Sequence, residues 1–136
     1  MEKVVGIIYP IPDSLVGRIK KRNKFSFVKN PTHEVLPKRL EIGDKILFYN
    51  KKHIIAEGII NSMVLMGFES LFKIKDIIQT KEELNTYCGS GLRKLKKQIV
   101  YKIEGVKSYD TSLLCPFTIT MVGQYIKSKD YKKLIN

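Results

Sequence analysis

The 136-residue chain has no tryptophan, a single alanine (Ala56), two histidines and two cysteines. Each scarcity closes off a class of function. Cys88 and Cys115 stand 27 positions apart with no CxxC pair, so no dithiol redox motif is encoded. His33 and His53 are the only histidines, and no Cys/His spacing marks a zinc site. Both thiols are expected to act as small apolar side chains in a reducing compartment. No apolar run approaches the roughly 18–20 residues that a membrane-crossing helix needs. The charged stretch, apolar stretch and small-residue cleavage site of a secretory leader are missing at the start. The expected location is the cytoplasm, off the membrane. No GxSxG, Walker A or HExxH pattern is present, and Gly89-Ser90-Gly91 is too short for a phosphate-binding loop. Neither a metal nor a cofactor is expected.

Acidic residues are also few, 13 against 25 Lys and Arg, which leaves a net charge of +12. Lysines serving only balanced surface ion pairs would be matched by carboxylates. The unbalanced field favours a polyanionic partner, nucleic acid first. Two windows contain no acid at all. Residues 14–33 carry Arg18, Lys20, Lys21, Arg22, Lys24 and Lys29, and residues 89–103 carry Arg93, Lys94, Lys96 and Lys97. The alternative for each is the solvated face of a Lys-rich protein, and the two reinforce each other only if folding brings them to one side. Length and a hydrophobic content of 43% imply one domain over residues 1–136, with a core that needs no metal or disulfide staple.

Residues 40–66 read as a β-hairpin: a turn at Gly43-Asp44, a strand over 45–49, a polar break at 50–52 and a long strand over 54–65. The apolar run over residues 3–9 suits a strand buried on both faces and stops at Pro10 and Pro12. Asp13 or Ser14 then caps a short helix with Leu15, Val16 and Ile19 inward. Phe25 and Phe27 alternate with Ser26 and Val28 as a strand. Residues 67–78 give a two-turn helix, with Ile77-Ile78 a short extended piece. Thr80 and Glu83 form a capping box for a helix over 81–88. A strand follows over 98–106, with Ile99, Tyr101 and Ile103 on one face, then a loop over 108–116. The last strand runs over 117–122 and continues through 123–126, and a short helix occupies 128–135. No internal repeat or low-complexity tract interrupts this order.

The order and certain residues resemble the PUA-like superfamily, which includes PUA, ASCH, EVE and YTH domains. The resemblance covers most of the chain. It is carried by the first strand and its helix, by Asn23-Lys24-Phe25-Ser26-Phe27-Val28-Lys29, by Gly43-Asp44-Lys45-Ile46-Leu47-Phe48-Tyr49, by Glu57-Gly58-Ile59-Ile60, and by Gly123-Gln124-Tyr125-Ile126. Ile-Tyr-Pro-Ile-Pro early and Val-Gly-Gln-Tyr-Ile late look most like an uncharacterised archaeal branch. The resemblance implies an α+β fold, a mixed β pseudo-barrel of five to six strands with short helices at its ends. It also implies RNA binding, or recognition of a modified base, in a cleft beside the first helix and the following strand. The lack of tryptophan departs from EVE and YTH domains, which usually build a base cage with it.

The expected function is therefore an RNA-binding module with a pocket at the barrel mouth for a nucleotide or modified base. The partner would be a tRNA, an rRNA or a free nucleotide. The ten cations named in the two acid-free windows would contact phosphates, with steep salt dependence. Most aromatic residues must fill the core, but Tyr9, at the end of a buried strand, and Tyr125, after Gly123, are candidates for stacking on a base. Gln124, Asn50 and Ser26 are candidate polar groups of the same pocket. An alternative is an ASCH-like amidohydrolase acting on an acylated cytidine or related nucleoside. There Lys24 would activate Ser26 and Glu57 would shuttle the proton.

Overall fold

A computed structural model describes residues 3–31, 36–89, 96–116 and 119–135, the side chains of 110–112 excepted. The elements are β1 (Val4–Pro10), α1 (Asp13–Lys20), β2 (Phe25–Lys29), β3 (Lys45–Asn50), β4 (His53–Met66), α2 (Phe68–Leu71), α3 (Lys81–Cys88), β5 (Gln98–Leu114), β6 (Gln124–Lys127) and α4 (Ser128–Ile135). The strands form one sheet in the order β2-β5-β4-β3-β1-β6. β1 runs parallel to β3, and every other pairing is antiparallel. The α+β class and the six strands agree with the sequence. The sheet is curled but not closed, since β2 and β6 are its two edges.

The curl follows from where the large side chains point. Successive residues of a strand face opposite sides, and Ile7 and Tyr9, Phe25 and Phe27, Ile46 and Phe48, and Ile99, Tyr101 and Ile103 all enter one core. Three strands separate β1 from β2 in the sheet, yet the Tyr9 ring lies 6.1 Å from Phe27 and 5.7 Å from Tyr101. The Tyr9 and Tyr101 hydroxyls hydrogen-bond to each other in this core. Register shifts in β4, between Ile54 and Ala56, Glu57 and Ile59, and Ile60 and Ser62, supply bulges that bend the long hairpin around it. Two smaller cores occupy the outer faces. Ile8, Leu47, Ile54 and Ile126 pack with Leu134 of α4, while Val28 and Val100 pack with Leu71, Leu84 and Cys88.

The residue 40–66 hairpin is present, with Gly43 at φ +98 and Asp44 accepting from the Glu41 backbone N–H. Four local expectations change. α1 starts after Pro12 without a side-chain cap, because Asp13 is held by Asn50 and Lys51 and Ser14 donates to Glu83. The helix after Gly67 is a single turn, and the chain then leaves it to put Ile77 beside Ser26 in a parallel bridge. The segment read as a loop over 108–116 is strand as far as Leu114, because β4 reaches back to His53 and offers it a partner. Residues 120–123 form a turn, with the Gly123 N–H on the Thr120 carbonyl, so the last strand starts only at Gln124. Phe117 and Thr118 lie outside the described residues. Among the described residues, no helix is long and apolar enough to cross a membrane, and no cluster of three or more His, Cys, Asp or Glu is placed to hold a metal ion.

Candidate functional site

Two open clefts meet at one residue of β2. The first, of about 770 Å³, lies between the end of β1, the start of α1, β2 and α3. Pro10, Ile11, Pro12 and Leu15 form an apolar lip opposite Tyr87, with Phe27, Val28 and Lys29 behind them and Met121 at the edge. Its shape is set by ties between elements. The Asn50 amide donates to the Ile11 carbonyl and to Asp13, which pins the lip to the tip of the β3–β4 hairpin. Arg18 of α1 grips Glu83 of α3 through both guanidinium nitrogens, at 2.6 and 3.2 Å, and donates as well to the Ile78 carbonyl. Glu83 also closes the capping box with Thr80. The Arg18 guanidinium, ahead of the other partners, holds the Glu83 carboxyl down at about 2. Gln79 donates to the Val28 carbonyl and accepts from its N–H, which covers the open edge of β2.

The second cleft, of about 500 Å³, lies between β1, the end of β2, residues 36–39 and the approach to β6. Three cations line it, Lys29, Lys38 and Arg39, and no acid does among the described residues. The Arg39 guanidinium sits 5.3 Å from the centre of the Tyr125 ring. Gly123, at φ +88, brings the chain against Tyr9: a Cβ there would stand 2.6 Å from two ring atoms. Only glycine allows this approach without strain.

Lys29 is the one described residue common to both clefts. It is 4% exposed. Its ammonium lies 5.0 Å from the centre of the Tyr9 ring and 5.9 Å from that of Tyr87. It forms no ion pair among the described residues. Loss of water around the charge lowers its pKa to about 8. Burial also raises Tyr9, to about 12, so its hydroxyl stays neutral.

The other sequence-derived residues fall in separate places. Arg18 is spent on Glu83, so it shapes the first cleft and is not a free phosphate contact. Lys20 reaches the Tyr109 carbonyl at 3.4 Å. Lys21, Arg22 and Lys24 are exposed at the end of α1 and the turn after it, as are Lys96 and Lys97 before β5. Arg93 and Lys94 lie outside the described residues. Phe25 pairs with Ile103 and Lys29 with Ile99, so Lys24 and Lys97 sit at opposite ends of the β2–β5 ladder, roughly 24 Å apart at about 3.4 Å per residue. Among the described residues, the exposed cations Lys21, Arg22 and Lys24 of the first window lie at the other end of that ladder from Lys96 and Lys97 of the second. Tyr9 and Tyr125 line the second cleft, but Tyr9 is buried. Gln124 lies next to that cleft on β6, opposite Ile8. Asn50 is a strut for the lip of the first.

The residues of the amidohydrolase alternative are not brought together. The Ser26 hydroxyl is buried and donates to Asp76 at 2.8 Å. Glu57 is 7% exposed and accepts from Tyr109 and Tyr131, with Lys45 at 3.8 Å. Opposite them on β5 stand Lys102 and Lys107, which puts Ser26 and Glu57 roughly 17 Å apart along the strand direction. Glu57 holds α4 and β5 together on the outer face of the sheet.

Sequence reasoning missed Lys38, Arg39, Tyr87 and Met121 as cleft residues. It also read Lys29 as surface. The signal for Lys29 was present: Phe25, Phe27 and Lys29 share one face of a strand by their spacing of two.

Comparison with known proteins places this geometry. A family described as "Domain of unknown function (DUF365)" matches residues 4–128. No curated protein matches the sequence. The fold is similar to that of the ASCH protein from Zymomonas mobilis, at TM-score 0.69 and 10% identity, covering 96% of this chain and 94% of that one. A serine-to-alanine variant of that protein gives TM-score 0.74 at 9% identity, covering 99% and 97%, and a tyrosine-to-phenylalanine variant gives 0.72 at 10%, covering 96% of each. Identity this low establishes shared architecture, which is the PUA-like, ASCH-type fold. The match over residues 4–128 takes in both clefts and every strand, and the chain belongs to the DUF365 family.

Proposed function

We propose that the protein is an RNA-binding module whose first cleft takes a nucleotide base, with Lys29 as the polar anchor. The observation that carries the reading is the burial of that one cation with no carboxylate paired to it among the described residues. A buried charge is costly unless something pairs with it. Among the described residues its neighbours are two aromatic rings at 5.0 and 5.9 Å, near the outer reach of a cation–π contact, so their attraction is worth about 0.5–1 kcal/mol each. An electron-rich ligand in the cleft would complete the pairing, and the carbonyl oxygens of a base are such acceptors. The rest of the lining suits a flat heterocycle: Tyr87 on one side, the proline lip on the other, and Thr86 and Glu82 at the rim. The exposed lysines and arginine at residues 20–24, with Lys96 and Lys97, supply a field that draws a polyanion in.

The test is retention of a mixed pool of short single-stranded RNAs against salt, with nucleosides titrated in parallel by NMR. Affinity should fall steeply with salt. Four phosphate contacts would give a log–log slope of about −3. Replacing Lys20, Lys21 and Arg22 by glutamate should flatten that slope. Lys29→Met should abolish the nucleoside-induced shifts at Tyr87 and Met121 while leaving the salt slope in place. Salt-independent RNA retention, or nucleoside shifts that survive Lys29→Met, would overturn the reading.

A further inference from the structure

We infer that the second cleft is a phosphate site, built to hold the terminal phosphate of a nucleotide whose base occupies the first. The inference rests on the reading of the first cleft for the base, but its own evidence is separate. Lys29, Lys38 and Arg39 converge on this cleft with no acid among its described lining. Neither Lys38 nor Arg39 forms an ion pair among the described residues. The Arg39 guanidinium already lies 5.3 Å from the centre of the Tyr125 ring. That contact engages its face and leaves N–H groups for two parallel hydrogen bonds to phosphate oxygens. Lys29 adds a buried point charge with three donors and no acceptor.

Charge matching selects the class of phosphate. An internal phosphodiester carries one negative charge. A phosphomonoester carries nearly two at neutral pH, its second pKa being about 6. Three cations with no counter-charge among the described lining suit the dianion better. The first cleft has the opposite bias, with Glu82 on its rim and Glu83 already paired with Arg18, and would not favour a phosphate placed there. A nucleoside monophosphate lying across Lys29 therefore has one favoured orientation, base toward α3 and phosphate toward Arg39. Free mononucleotides and the 5′-phosphorylated end of an RNA share this chemistry.

The experiment uses the full chain at low salt, observed by NMR on the arginine and lysine side chains and by calorimetry. The probes are inorganic phosphate, the four nucleosides, their 5′-monophosphates, and one pentaribonucleotide with or without a 5′-phosphate. Inorganic phosphate should shift Arg39 and Lys29. Monophosphates should bind at least about tenfold tighter than nucleosides, and Lys38→Ala with Arg39→Ala should remove that gain without changing nucleoside affinity. Both replaced side chains are exposed in a turn, so the fold is not at stake. A gain limited to mononucleotides identifies a free nucleotide as the ligand, and a gain for the 5′-phosphorylated oligomer identifies an RNA end; either supports the site. Equal binding of nucleosides and monophosphates, with no shift from inorganic phosphate, overturns the phosphate site and leaves the first cleft's reading standing. Shifts from inorganic phosphate without any nucleoside binding do the reverse.

Discussion

Replacing Lys29 by methionine should make the protein more stable at neutral pH. Burial moves the ammonium from an ordinary 10.5 to about 8, and each pH unit of displacement is worth about 1.4 kcal/mol. The full penalty for keeping the charge is then about 3 kcal/mol, less a return of about 0.5–1 kcal/mol from each aromatic ring beside it. Methionine fills a similar volume with a flexible, apolar chain. The expected gain at pH 7 is about 1–2 kcal/mol, read as a higher midpoint in urea with an unchanged slope. The pH dependence carries the diagnosis. Between about 8 and 10.5 the unfolded chain holds the Lys29 proton and the folded one does not. Wild-type stability should therefore rise with pH through that window relative to the variant, and the gap between them should close toward pH 10.5. The groups packed around the ammonium are Tyr9 from β1 and Tyr87 from α3, with Lys38 and Arg39 in the same cleft. The first cleft adds Glu82 and Glu83, but Glu83 is paired with Arg18 and neither forms an ion pair with Lys29, so the sign stands. A variant less stable at pH 7, or a difference that ignores pH, would refute the reasoning.

Glu83→Gln keeps a residue able to close the capping box with Thr80 but removes the charge that Arg18 holds. With screening at this half-exposed pair, it should cost about 1–2 kcal/mol at pH 7. The Glu83 carboxyl is depressed in the fold, so the deficit should be full above about 4.5 and vanish as pH falls toward 2; urea titrations at pH 7 and pH 2.5 check it. Tyr131→Phe takes one of two hydroxyl donors from the nearly buried Glu57 and should destabilise by about 1–3 kcal/mol, with amide exchange rising first in α4. Gly123→Ala puts a Cβ into the Tyr9 ring at a positive φ. It should cost about 1–3 kcal/mol and shift the Tyr125 and Arg39 resonances before those of Tyr87.

The strands were legible wherever alternation was strong. Ile7 and Tyr9, Phe25 and Phe27, and Ile99, Tyr101 and Ile103 all point where a period of two sends them. The capping box at Thr80 and Glu83 was legible because both partners are local. What the sequence hid is what long-range partners decide. Residues 108–114 are polar and loop-like, and become strand because β4 has backbone groups left to pair with them. Residues 117–122 are rich in β-formers, yet 120–123 turn so that Gly123 can meet Tyr9. Arg18 looked like one of six equivalent cations, and only folding sets it against Glu83, 65 residues away. Lys38 and Arg39 carried no local pattern at all.

The placement of Lys29 makes the two clefts one site in energetic terms. A group on the ligand that satisfies the ammonium from the first cleft lessens what a second group can gain from the other side, because the charge is desolvated once. Base and phosphate contributions should therefore not be additive through Lys29, whereas Arg39 touches one cleft only. The same geometry explains why the cation sits on β2. An edge strand paired on one side by β5 and covered on the other by Gln79 is rigid, and Lys29 ends it with Phe25 and Phe27 anchoring the same face in the core. A lysine on a loop would reach either cleft but would keep its water and its ordinary pKa. Buried at the end of a packed strand, it gives up stability that a ligand bound as proposed would return by supplying the opposite charge.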